Sequence, residues 1–345
     1  MIKTPQDAST HPAPSANRST MKAVVREEYG PPEVLHMVEL PKPTPKDNEV
    51  LVKIYATTVT SGDCRMRGLN VPAGFRLITR LAMGLVRPRQ TVLGSEFAGV
   101  VEATGSKVTG FRVGDRVFGM SGFSLGAYAQ YKCATENGPL AHIPPNLSFE
   151  EAAALPFGGI TALDFFRRGG LKAGDKLLVN GASGAVGVAA VQLARYFGAN
   201  VTAVCSGANA DMMRALGAQQ VIDYTRQDFT ASGEQYDVIM DMVGTAGFAR
   251  SKNSLRKGGR LLLVIATLGQ MVSAAWESAG GKKVIAGPSS ERAEDVRLLA
   301  KLAQEGHLKP VIDRQYPLEQ MTAAHRYVET GRKRGSVIIK VDHEV

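Results

Sequence analysis

The chain has 345 residues, 44% of them hydrophobic and 21% charged, the balance of an ordinary globular protein long enough for two separate cores. Its formal charge of +9 favours anionic ligands, but the 41 Lys and Arg residues are spread along the chain, which argues against a dedicated nucleic-acid surface. Three widely spaced cysteines exclude a disulfide scaffold and fit a reducing, cytoplasmic setting, and no apolar run reaches the roughly 18–20 residues of a transmembrane helix. Residues 1–20 are rich in Ser, Thr, Pro, Ala and Asn, so they read as a disordered tail and not as a secretory signal. From residue 21 to about residue 146 the pattern is short β-runs broken by Gly and Pro, at 22–26, 49–57, 99–103, 116–119 and 127–132. Such strands predict a distorted barrel.

The pattern changes at Ser148, which forms a capping box with Glu151 and opens a helix over 150–155. Residues 147–309 then alternate strand and helix. An apolar strand at 177–179 runs into Gly181, Gly184 and Gly187, a helix follows at 188–197, and a second strand at 201–204. That order suits a dinucleotide: glycines let the backbone approach a pyrophosphate, and the amides and dipole of the helix start stabilise its charge. Further strands at 220–222, 238–240 and 260–265, with helices at 210–216 and 291–304, complete the rhythm of a doubly wound α/β fold. The last segment, 310–345, carries a helix at 318–329 and a strand at 336–341 and is expected to return to the first domain.

Four motifs occur in order: residues 92–101 (a glycine turn into a strand), 110–117 (Gly110, Gly114, Asp115, Val117), 152–162 (an Ala-rich turn, Pro156, Gly159, Thr161) and the glycine run 181–187. Through them, the sequence from 21 to 341 resembles the medium-chain dehydrogenase/reductases, in their zinc-free, zeta-crystallin-like quinone oxidoreductase branch. The resemblance implies a Rossmann sheet inserted in a GroES-like β-barrel domain, with the active site in the cleft between them. Zinc-dependent relatives carry a Cys three residues before an Asp in the early barrel loop and the His of a Gly-His-Glu sequence. Here Thr60 and Ser95 stand at those places, and a hydroxyl is a poor substitute for either ligand, so no zinc is expected. Asp63 and Glu96 match family positions and read either as loop ties or as functional groups.

The resemblance also implies the cofactor residues. Ser183, Ala185 and Val186 should lie along the pyrophosphate, with Gly184 and Gly187 permitting the turn. Tyr224 should border the adenosine ribose-phosphate, and Thr161, Val264, Ile265 and Ala266 should lie near the nicotinamide, with Val243 at the same edge. The second strand ends at Cys205, which stands where NAD-selective proteins place an acid, and Ser206 follows it and can donate to a 2′-phosphate, so NADPH is the expected cofactor, with NADH use also compatible.

Without a metal, hydride transfer suits acceptors that delocalise their own charge, such as quinones and enones. Thr60 and Ser95 are the candidate catalytic donors. An NAD(P)-dependent alcohol dehydrogenase or aldehyde reductase is the alternative within enzymes. A non-catalytic nucleotide-binding or RNA-associated protein is the alternative outside them. Homodimers are common in the family, and no local pattern here specifies one. Between residues 73 and 89, Phe75, Ile78, Leu81, Ala82 and Leu85 recur at helical spacing opposite Arg76, Arg80 and Arg87. This suggests either an apolar lid on the substrate cleft, whose arginines face solvent or an anionic group of substrate or membrane, or a solvated basic helix.

Overall fold

The computed structural model describes residues 19–277 and 281–343. The apolar runs after residue 176 form a six-stranded sheet in which every pairing is parallel. Its strands lie in the order Gln220–Asp223, Asn200–Cys205, Lys176–Asn180, Tyr236–Asp241, Leu255–Leu263, Lys283–Ala286. Sequence order therefore reads 3-2-1-4-5-6 across the sheet. Leu177 pairs with Val201 on one side and Val238 on the other, and all three side chains are buried.

The second sheet is built on the eleven-residue strand Glu49–Val59. Register shifts at Leu51/Val52 and Ile54/Ala56 bend it. It pairs antiparallel with Glu96–Thr104, Tyr131–Thr135 and the late strand Ser336–Lys340. Ile312–Pro317, Arg116–Met120 and Leu140–His142 extend that sheet. The chain thus leaves the barrel, builds the parallel sheet and comes back.

Several expectations need adjusting. Strand pairing begins at Thr20, opposite Pro41, so ordered chain starts inside the expected tail, whose residues 1–18 lie outside the described part. The strand expected at 127–132 forms only from Tyr131. Before it, Ala127 and Tyr128 donate to Gly94 and Leu93, whereas Gln130 donates to Lys22, so the backbone is shared between two segments and makes no ladder. The helix expected at 150–155 is Phe149–Ala153, and Pro156 starts a new helix, Pro156–Gly169, as its N-terminal turn allows. The Ser148–Glu151 capping box is present in both directions. The lid segment forms the helix Arg76–Met83 with Arg76 exposed as expected, but its apolar side is turned out as well: Leu77, Ile78 and Leu81 are exposed, and Thr79, Arg80 and Met83 are half-buried.

Candidate active site

Strand Lys176–Asn180 ends at the crevice where the strand order reverses. Gly181 turns the chain with φ +85°, and a Cβ there would sit 2.7 Å from Val243 Cγ1. Gly187 abuts the Ala182 carbonyl too closely for any side chain. Gly184 differs, because a Cβ there would meet only the Gly181 oxygen, at 3.7 Å. The space above it is open. Gly184 caps the twelve-residue helix Ala185–Tyr196 without a side-chain acceptor, so the first amides of that helix and its positive dipole end face this space. Ser183, Ala185 and Val186 are part-exposed around it. The arrangement fits a diphosphate.

The other cofactor candidates gather along the same carboxyl edge of the sheet. Asp241, fully buried, accepts from the amides of Val243 (3.1 Å), Gly244 (3.1 Å) and Ala246 (2.7 Å) and from Asn180 Nδ2 (2.9 Å). It fastens the turn that carries the half-exposed Val243 beside the glycine run. Val264 donates its amide to the Asp241 carbonyl, which places Val264, Ile265 and Ala266 just beyond strand Leu255–Leu263. Ser206 and Tyr224 follow two adjacent strand ends; Tyr224 is exposed, and its amide donates to the Cys205 carbonyl. Thr161 lies buried in helix Pro156–Gly169, whose Gly158 packs directly on the Ala185 carbonyl.

Thr60 and Ser95 belong to the barrel, just after strand Glu49–Val59 and just before strand Glu96–Thr104, and both are buried. Thr60 caps the helix Ser61–Gly68: its hydroxyl donates to Asp63 Oδ2 (2.6 Å) and accepts from the Asp63 amide (3.1 Å), while its own amide donates to Oδ2 (2.8 Å). Burial pushes the Asp63 carboxyl up to about 6 against these hydrogen bonds. Phe157, at the start of the interdomain helix, packs near Gly62 and donates its amide to Glu96 Oε1 (2.6 Å). Glu96 also accepts from the Thr58 hydroxyl, and burial lifts its carboxyl to about 8. Glu96 therefore ties the barrel to the helix that touches the phosphate turn. A second tie runs from the Gly335 amide to the Ser183 carbonyl (2.8 Å).

A buried network surrounds Asp63 and Cys64. Arg67 donates to His325 Nδ1 (3.0 Å) and to Glu329, and His325 Nε2 meets the Tyr128 hydroxyl (3.1 Å). Since Arg67 can only donate, His325 Nδ1 accepts and Nε2 carries the proton. Burial, with Arg67 and Arg26 nearby, drives His325 down to about 3, so it is neutral. Tyr128 and the Gly94 amide lean towards Asp63 and favour its charged form without reaching good geometry at Oδ1. Cys64 Sγ sits 3.4 Å from His325 Nδ1. Only Asp63 and Cys64 in this set carry a local sequence signal; Tyr128 and His325 come from segments 197 residues apart.

A parallel sheet whose switch point fits a diphosphate, joined to a mostly antiparallel barrel, defines the class: an NAD(P)H-dependent oxidoreductase. A family model described as "Alcohol dehydrogenase GroES-like domain" matches residues 46–145, and one described as "Zinc-binding dehydrogenase" matches residues 216–339. The chain is 32% identical over 333 residues to a 2-methylene-furan-3-one reductase of Solanum lycopersicum, covering 93% of this chain and 79% of that protein. It is 30% identical over 332 residues to the quinone oxidoreductase of Homo sapiens, covering 92% and 96%. The solved structure of the quinone oxidoreductase from Coxiella burnetii superposes with a TM-score of 0.84 at 32% identity, over 94% of this chain and 100% of that one. The chain belongs to the medium-chain dehydrogenase/reductase family, in its quinone oxidoreductase-like branch.

Proposed function

We propose that the chain reduces quinones, enones or other activated carbonyls with NADPH, without zinc. What supports this reading is a helix N-terminus open to a diphosphate, together with hydroxyls, Thr60 and Ser95, at the two barrel positions beside Asp63 and Glu96. The relatives named as a quinone oxidoreductase and a 2-methylene-furan-3-one reductase support a conjugated acceptor.

The donor set does not suit a catalytic zinc, which takes three His, Cys or carboxylate ligands. Thr60 spends its proton on Asp63. The neighbouring thiol, Cys64, is turned to His325, and burial pushes it up to about 12, so it remains protonated at neutral pH. Residues 181–187 would hold the cofactor's diphosphate, and Val264, Ile265, Ala266 and Thr161 would border its nicotinamide. When bound, the cofactor supplies the hydride. This chain's own contribution is to orient the acceptor and to offer one weak donor, with Ser95 freer for that task than Thr60. A weak donor suffices when charge spreads over a conjugated acceptor and falls short for an isolated carbonyl. The unpaired cysteines Cys64, Cys133 and Cys205 support a reducing, cytoplasmic location.

The test is NADPH oxidation by the purified chain against quinones, enones and unactivated aldehydes, with and without a chelator. The expected result is turnover of the first two classes only, unchanged by the chelator. Aldehyde turnover that a chelator abolishes and zinc restores would overturn the reading in favour of a metal-dependent alcohol dehydrogenase.

A further inference from the structure

Five of the ten large hydrophobic side chains exposed among the described residues lie within residues 77–86: Leu77, Ile78, Leu81, Leu85 and Val86. Their exposure runs from 49% to 84%. Helix Arg76–Met83 aligns Leu77, Ile78, Leu81 and Ala82 on one side by its 3.6-residue period. Its other side meets the barrel, where Met83 packs against the core. After Gly84 the patch continues through Leu85 and Val86, and the Tyr29 hydroxyl holds this turn by donating to the Gly84 carbonyl (2.9 Å). A helix folded onto a core turns its apolar side inward. Here the apolar side is left over.

The charge around it is one-sided. From residue 64 to residue 95 the sequence has six arginines and neither Asp nor Glu. Arg76, Arg87 and Arg89 are exposed, and among the described residues no carboxylate forms an ion pair with them or with Arg80. We propose that residues 76–89 dock the protein on an anionic lipid surface, with Leu77, Ile78, Leu81, Leu85 and Val86 entering the headgroup boundary and Arg76, Arg87 and Arg89 meeting lipid phosphates. An outward apolar strip on a stretch of chain whose charged side chains are all arginine is the pattern of an in-plane interfacial helix, and exposed guanidiniums add attraction to anionic lipid. No helix of the described residues is long and apolar enough to cross a membrane, so this docking is peripheral. The segment also stands at the cleft mouth, since the Leu268 amide donates to the Ala73 carbonyl (3.0 Å) across it. The use of such docking, delivery of an apolar quinone from the bilayer, rests on the proposed function; the docking itself does not.

The experiment is co-sedimentation of the full chain with phosphatidylglycerol or phosphatidylcholine vesicles, across a salt series and without substrate. The expected result is pelleting with the anionic vesicles only, weakening as salt rises. The variant Arg76→Gln/Arg87→Gln/Arg89→Gln should lower the partition coefficient by roughly a hundredfold. Leu77→Asp/Leu81→Asp should lower it by at least about tenfold. Both variants should keep the wild-type circular dichroism and melting temperature, so that lost pelleting reports the surface and not the fold. No pelleting, equal pelleting with both lipids, or a wild-type dimer that Leu77→Asp/Leu81→Asp dissociates would overturn the proposal; the last would show a second copy on the patch. A wild-type protein that pellets but reduces no quinone would refute the proposed function and leave the docking standing.

Discussion

At the end of strand Asn200–Cys205 two neighbours have opposite surroundings. Cys205 is 1% exposed, packs in the core and has its thiol pushed up to about 11 by burial. Ser206 is part-exposed and accepts from Asn209 Nδ2 (3.2 Å). Alternation along the strand therefore buries Cys205, the position expected beside the ribose, and turns Ser206 towards the open edge. Cofactor choice should be set there. Asp223, whose carboxyl Thr225 holds below its usual range, adds a negative charge at the neighbouring strand end, so the preference for NADPH over NADH is expected to be modest. Ser206→Asp should reverse it. Two unit charges about 4 Å apart at an effective dielectric near 20 repel by roughly 4 kcal/mol, more than a modest preference. The measurement is the ratio of kcat/KM for the two cofactors; an unchanged ratio would remove this strand end from the 2′-phosphate site.

At the scale of the element, the glycine turn separates folding from binding. Gly181 and Gly187 are required by contacts within the protein, with Val243 and with the Ala182 carbonyl. At Gly184 the protein itself leaves room. Gly184→Val is therefore expected to fold with a near-normal melting temperature and to lose cofactor affinity by at least about a hundredfold, because its branches would stand where the diphosphate meets the helix amides. Fluorescence titration of NADPH, beside thermal melting, checks both halves. Normal affinity in a folded variant would show that the phosphates lie elsewhere. The neighbouring turn is held differently, by Asp241 and its three amide donors, so its shape depends on a side chain and not on glycine alone.

For the whole molecule, the buried carboxyl of Glu96 links stability to pH. It joins barrel strand and interdomain helix through Thr58 and Phe157, and burial lifts it from 4.5 to about 8. Above its ordinary value the unfolded chain releases this proton while the folded chain keeps it. The protonated carboxyl thus favours the fold fully at low pH, and that contribution is lost as pH rises towards 8. His325, driven down to about 3, acts in the opposite sense, costing stability as pH falls below its ordinary 6.5. Glu96→Gln keeps an acceptor for the Phe157 amide and cannot ionise. The variant's melting temperature should fall less than that of the wild type between pH 5 and pH 8, read by calorimetry; an equal fall would mean that Glu96 does not titrate in this range.

The order strand, glycine turn, helix, strand is legible in the sequence because its requirements are local. A positive φ at Gly181, a close approach at Gly187 and an apolar run into each strand are demands of neighbouring backbone, and the same locality makes the Ser148–Glu151 cap readable. Edge strands such as His36–Pro41, Ile312–Pro317 and Lys283–Ala286 are not readable in this way, since their pairing partners decide them more than their own pattern does. Only the tertiary structure sets Arg67, Tyr128 and His325 behind Asp63, because those side chains meet across distant segments with no shared period. Periodicity likewise announces that residues 76–83 form a two-sided helix, but which side meets the barrel depends on what packs beneath it. There Met83 turns inward and Leu77, Ile78 and Leu81 are left to the outside.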